Sequence, residues 1–132
     1  MDSVLARTGR YIYAVPFGIF GLFHFMNAEA MSGMVPLPGG IFWIYLTGIA
    51  LLGASVAIII QQKIKLVALL LGILLAIFAL SIHLPGILSA ESEMAMQASM
   101  SNMLKDLALS GAAFFMSAVY SQDEADNVNS ED

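Results

Sequence analysis

From Ile41 to Leu84 the chain reads IFWIYLTGIALLGASVAIII, then QQKIK, then LVALLLGILLAIFALSIHL. The first segment carries no charge, and the last is interrupted in polarity only by Ser81 and His83. A bilayer core of about 30 Å asks for roughly 20 apolar residues per helix, so each long segment is a full span. The residues between them, Gln61 to Lys65, leave room only for a tight turn. The two spans are therefore expected to be antiparallel neighbours.

Two further apolar runs flank this pair. Tyr11 to Met26 is entered through Arg7 and Arg10, and Leu104 to Tyr120 opens with Lys105 and Asp106. Pro36, Pro38, Gly39 and Gly40 break the connection from the first run to the second. Pro85-Gly86 is expected to end the third span. A helix should restart at Ser89 as N-cap, with Glu91 and Glu93 in its first turn. The reading is an all-α, integral membrane four-helix bundle over residues 1–120, with spans at about 11–27, 41–60, 65–84 and 104–120. Residues 121–132 hold five acids and are expected to form a disordered tail.

Composition agrees. Of 132 residues 59% are hydrophobic and 11% charged, with a mean hydropathy of +0.83. A water-soluble domain of this length needs more charge to cover its surface. The absence of cysteine excludes disulfides, a CxxC relay, a persulfide carrier and thiolate metal sites. A net charge of −5 with five Lys and Arg argues against a nucleic-acid partner. Ala28-Glu29-Ala30 has the form of a signal-peptide cleavage site. The run before it exceeds a signal h-region and contains Pro16, Gly18, Gly21 and His24, so it is read as a span.

Arg7, Arg10, Lys63 and Lys65 fall on one side of the bundle and Lys105 alone on the other. The positive-inside rule then places both termini in the cytoplasm of a bacterial inner membrane. Small residues recur at helical spacing in every span, as expected of helices packing in lipid. The stripes are Ala14, Gly18, Gly21 and His24; Trp43, Thr47, Ala50, Ala54 and Ala57; Ala68, Gly72, Ala76, Ala79 and His83; and Asp106, Ser110, Ala113 and Ser117.

This orientation sets His24, His83, Lys105 and Asp106 at one level near the outer surface, with Trp43 close in depth. Titratable groups at membrane depth are expensive and face the bundle or water, which makes the set a candidate binding site. Taken singly, His83 also suits a bond to a carbonyl freed by Pro85, and Lys105 and Asp106 suit a helix start at an interface. Lys105 and Asp106 lie about 100° apart on a helix, so Asp106 must pair elsewhere, with His83 or His24. Such a set suits a quinone head group, whose carbonyls need donors and whose reduction needs a proton source. Phe17, Phe20, Phe23 and Phe25, with Trp43, would pack on the ring or simply serve as core and lipid-facing surface. Catalytic residues are not assignable. A Cu(I) site among the outer methionines and histidines is a lesser alternative, since Met96, Met100, Met103 and Leu107 share one face as an amphipathic lead-in would. No metal is otherwise expected.

Several phrases together resemble one family. "GLFHF" at Gly21–Phe25, "MVP" at Met34–Pro36, "YLTG" at Tyr45–Gly48 and "KDLALSG" at Lys105–Gly111 occur in order across residues 5–120. The chain resembles the DoxX family of small four-helix bacterial membrane proteins. The resemblance implies a place beside quinone-linked oxidation, as an accessory subunit of a membrane redox complex. His24, Pro36, Gly48, Lys105 and Asp106 stand at the matching positions. Any oxidoreductase activity would need a partner subunit to supply electrons. The other readings are a non-catalytic assembly or interaction protein, and a small-solute transporter working as a homo-oligomer.

Overall fold

The computed structural model describes residues 3–35 and 37–130, and among them there is no strand. Six α-helices follow in order: α1 Val4–Met26, α2 Ala28–Ser32, α3 Gly40–Ile59, α4 Ile64–Phe78, α5 Leu84–Leu88 and α6 Glu93–Ser130. A π-helical turn, Ala79–His83, joins α4 to α5. Two helical stretches are long and apolar enough to cross a membrane: Gly40–Ile59, with mean hydropathy 2.1, and Ile64–Leu88, with 2.7.

Helix α1 starts a full turn and more before the apolar run. Ser3 caps it, its hydroxyl accepting from the Ala6 N–H at 3.1 Å, and Arg7 and Arg10 lie inside it. Pro16 sits within the helix without ending it. Between α3 and α4 the turn reverses the chain with Gln61 at φ 58° and Lys63 at φ 52°, left-handed conformations that these residues rarely adopt.

The third span does not stop at Pro85-Gly86 as the sequence suggests. The proline ring has no N–H and crowds the carbonyl four residues back, and here the chain widens into the π turn and continues to Leu88. The Ser81 hydroxyl occupies the Ile77 carbonyl at 2.6 Å beside this turn. Ser89 is likewise not the cap of the last helix. Its hydroxyl donates back to Pro85 O, and Ser92 accepts the Ala95 N–H at 3.1 Å instead.

Helix α6 then runs for 38 residues, about 57 Å, with no break before the expected span. The segment expected to be a disordered tail continues it through Ser130. An established helix adds residues at little cost, and Ser121 donating to Ser117 O and Lys65 pairing with Glu124 at 3.6 Å lie along this extension.

The helices pack as two pairs. Helix α1 lies along α3, and α4 lies along α6, while α3 and α4 touch over a shorter length. No Cα of α1 comes within 8 Å of one in α6 among the described residues. The core forms where α1, α3 and α4 meet, from Ala14, Phe17, Leu51, Ala54, Ile58, Leu71 and Leu75. The stripes expected on α1, α4 and α6 are largely inward. On α3 the inward face is instead Ile44, Gly48, Leu51, Ala54, Ser55 and Ile58, leaving Trp43 and Ala50 exposed. A helix without a polar side offers no hydrophobic contrast to set its rotation, and close approach at Gly48 sets it here.

Candidate functional site

Of the five residues expected to converge, the structure joins two. His83 Nε2 lies 3.1 Å from Asp106 Oδ2, with 23% and 18% of the two side chains exposed. His83 is delivered by the last residue of the π turn, Asp106 by a helix face that continues inward through Ser110 and Ala113. An i→i+5 turn rotates everything after it relative to a regular helix, a device often found where a side chain must be re-aimed. A carboxylate accepts, so Nε2 carries the proton of this contact, and Nδ1 is an acceptor in the neutral ring and a second donor in the cation. Asp106 thus orients the imidazole.

His24 belongs to the other helix pair. Its Nδ1 donates to the Phe20 carbonyl of its own helix at 2.7 Å, and its base packs against Gly48 of α3. With that proton on Nδ1, neutral His24 offers Nε2 as an acceptor and not as a donor. Lys105 is exposed, and among the described residues neither it nor His24 bonds to the His83–Asp106 pair. Trp43 is 37% exposed and uses its single N–H on the Pro38 carbonyl at 3.0 Å. Its ring meets Phe42 edge-on, centroids 5.4 Å apart, while Phe25 stacks on Tyr45 at 5.7 Å. Phe17 is core, and Phe20, Phe23 and Phe25 are exposed on the surface. Pro36, matched to the family's "VP", lies outside the described residues.

Clefts are open on the surface of the described residues, among them two of note. One, about 350 Å³, is lined by Met96, Gln97, Met100 and Ser101, with neither histidine on its wall. The other, about 270 Å³, lies between α1 and α6 and is lined by Gly9, Ile12, Tyr13, Pro16, Phe17, Phe20 and Leu109. Among the described residues no group of three or more His, Asp or Glu is placed to hold a metal ion.

At the opposite end from His83 lies a polar set that sequence reasoning treated only as a basic flank. Arg10 is 6% exposed, and its Nη1 donates to the Tyr120 hydroxyl at 3.2 Å. Tyr13 donates to the Leu109 carbonyl at 2.8 Å, and Ser117 to the Lys65 carbonyl at 2.8 Å. A signal was present: Arg10, Ala14, Phe17 and Gly21 recur at helical spacing, so Arg10 shares the inward face of α1.

No family model, curated protein or solved structure matches the chain.

Proposed function

We propose that the chain is an integral membrane four-helix bundle of the DoxX type. In this reading it sits in the bacterial inner membrane with both termini cytoplasmic. Its spans are the bodies of α1, α3, α4 with its continuation to Leu88, and α6 up to Tyr120. The exterior supports this. Ile12, Ile19, Phe20, Leu22, Ile49, Val56, Leu70, Ile77 and Phe115 are among many large apolar side chains at least 45% exposed, a surface that water does not tolerate and lipid does. Residues Arg10, Lys63, Lys65 and Tyr120 sit at one end and His83 and Asp106 at the other, consistent with the charge asymmetry of an inside-positive topology.

Within that frame the chain is an accessory subunit of a membrane redox complex, binding a quinone or a similar small lipophile at its outer end. The observation that carries this reading is the His83–Asp106 pair at the π turn. Quinone supplies two-electron redox chemistry when bound, with electrons delivered by a partner subunit. With Nε2 held by Asp106, Nδ1 of His83 would face a carbonyl oxygen of the head group and, in the doubly protonated ring, donate a hydrogen bond to it. Asp106 holds the ring in place through Nε2. Trp43 and His24 spend their N–H groups elsewhere, so of the expected set this pair and the exposed Lys105 ammonium remain to hold the head group.

Native mass spectrometry of gently solubilised protein tests the reading, together with Trp43 emission and melting on addition of a short-tailed ubiquinone. Retained quinone, and a shift in emission or melting that Asp106→Asn removes, is expected. Protein that carries no quinone and responds to none sinks it. A second reading, an assembly protein, is favoured by the acidic helical extension from Ser121 to Ser130, which projects past Tyr120 as a docking surface. Subunits that co-purify only while this extension is present would support it.

A further inference from the structure

The two helix pairs meet along two edges that are built differently. Among the described residues, backbone of one pair comes within 8 Å of the other only where α3 runs beside α4. Residues 60–63 make the covalent link on this edge, and the turn there bends through the left-handed Gln61 and Lys63. The core shared by α1, α3 and α4 also lies on this side, with Ile58 wholly buried in it.

The edge between α1 and α6 is spanned by long side chains. Tyr13 donates to the Leu109 carbonyl at 2.8 Å, and Arg10 Nη1 to the Tyr120 hydroxyl at 3.2 Å. Among the described residues these are the only side-chain hydrogen bonds or ion pairs that join one helix pair to the other. Leu109 and Met116 of α6 pack on the rim of the core, and the cleft of about 270 Å³ opens beside them. Lipid gives little hydrophobic drive to close such an edge, so the two bonds carry a large share of holding it. The Leu109 carbonyl lies inside α6 and keeps its helical donor with or without the tyrosine hydroxyl.

We propose that α1–α3 and α4–α6 are two rigid bodies that rock about the α3–α4 edge, with the Tyr13 hydroxyl as the latch on the α1–α6 edge. Extensive packing within each pair, one shared pivot and one lightly bonded edge are the parts such a motion needs. Release of the latch draws Tyr13 and Phe17 of one body away from Leu109 of the other. His24 stands on the first body and His83 with Asp106 on the second, so the same motion changes the gap between them. The inference rests on the membrane reading above and is independent of quinone binding.

The chain has no cysteine, so introduced cysteines carry spin labels only where they are placed. Leu5→Cys with Gln122→Cys reports across the α1–α6 edge, and Leu5→Cys with Ile60→Cys reports within the α1–α3 body; all three positions are exposed. Distances are read by double electron–electron resonance on the full chain in phosphatidylcholine vesicles. Tyr13→Phe removes the hydroxyl and keeps the ring that packs on Phe17, centroids 5.1 Å apart. It should raise the share of longer α1–α6 distances about fivefold, the effect of one neutral hydrogen bond, and leave the α1–α3 distance unchanged. An α1–α6 distribution that stays as in wild type overturns the proposal. So does equal broadening of the α1–α3 distance, which would mean that α1 loosens alone. Protein that does not enter the vesicles would overturn the membrane reading instead.

Discussion

The two helix pairs are held together by different physics. In α1–α3 the seam is made by glycine. A Cβ at Gly21 would lie 2.7 Å from Leu52 Cγ and 2.9 Å from the Gly48 carbonyl oxygen, and one at Gly18 would lie 2.9 Å from Ser55 Oγ. In α4–α6 a glycine also allows close approach, since a Cβ at Gly72 would lie 2.7 Å from Phe114 Cε1, but there polar side chains bridge the helices as well. Ser110 donates to the Gly72 carbonyl at 2.7 Å, Ser117 to the Lys65 carbonyl at 2.8 Å, and His83 pairs with Asp106. Between helices in lipid there is little hydrophobic drive, and small residues and polar bonds are the two available adhesives. Among the described residues, glycine contacts occur in both pairs and side-chain bonds across the seam in α4–α6, a division that the membrane reading explains. Backbone closely approaches backbone where α1 meets α3 at Gly21 and Gly48, whereas the chemistry-bearing groups sit on the pair bridged by side chains.

The largest effect is expected at the glycine seam. Gly21→Ala puts a methyl group into backbone atoms of α3, which cannot retreat as a flexible side chain would. The loss should be about 3 kcal/mol, read as the shift in unfolding of detergent-solubilised protein. A substitution that melts like wild type would mean that α1 and α3 do not touch along this line.

Next in size is Asp106→Asn. It removes the charge from the His83 contact but leaves the shape, and partial exposure of both side chains keeps the cost near 2 kcal/mol. The double variant with Gly21→Ala sharpens the comparison. If the pairs are independent units, the two losses add to within about 0.5 kcal/mol. A larger coupling would show that His83 and Asp106 feel the α1–α3 seam.

Both seams were partly legible in the sequence. The α6 stripe of Asp106, Ser110, Ala113 and Ser117 is inward as spaced, because polar residues on an apolar helix mark its packed side. The choice of partner helix was not legible. Gln61 to Lys65 makes α3 and α4 sequence neighbours, yet α3 lies mainly along α1, since nothing in a hairpin turn dictates which pair packs closest. The rotation of α3 is not legible for a related reason, as a stripe through Trp43, Ala50 and Ala57 has the same helical spacing as one through Gly48 and Ser55. The pairing of Asp106 with a histidine followed from depth alone. Which histidine did not, because the π turn that aims His83 arises from the conflict between Pro85 and a helix that continues past it. In the sequence Arg10 reads as a topology signal, and its burial depends on a helix that starts at Val4 and not at Tyr11.

The smallest effect, and the one that says most about surroundings, is at Gly53 and Gly111. Each lies on an outward face, one per pair, where a Cβ would meet nothing within 4 Å. Alanine there should be neutral to stabilising by about 0.5 kcal/mol, since glycine inside a helix carries the larger entropy loss on folding. The same Gly→Ala change would therefore carry opposite signs at Gly21 and Gly53, positions separated only by which side of the seam they face. Unfolding of the two variants in detergent and again in reconstituted vesicles completes the argument. A loss confined to vesicles at Gly53 would place a second helix on the back of α3, and one at Gly111 would place it on the back of α6. Either result would turn a face assigned to lipid into an interface, and would show which adhesive the assembled protein uses there.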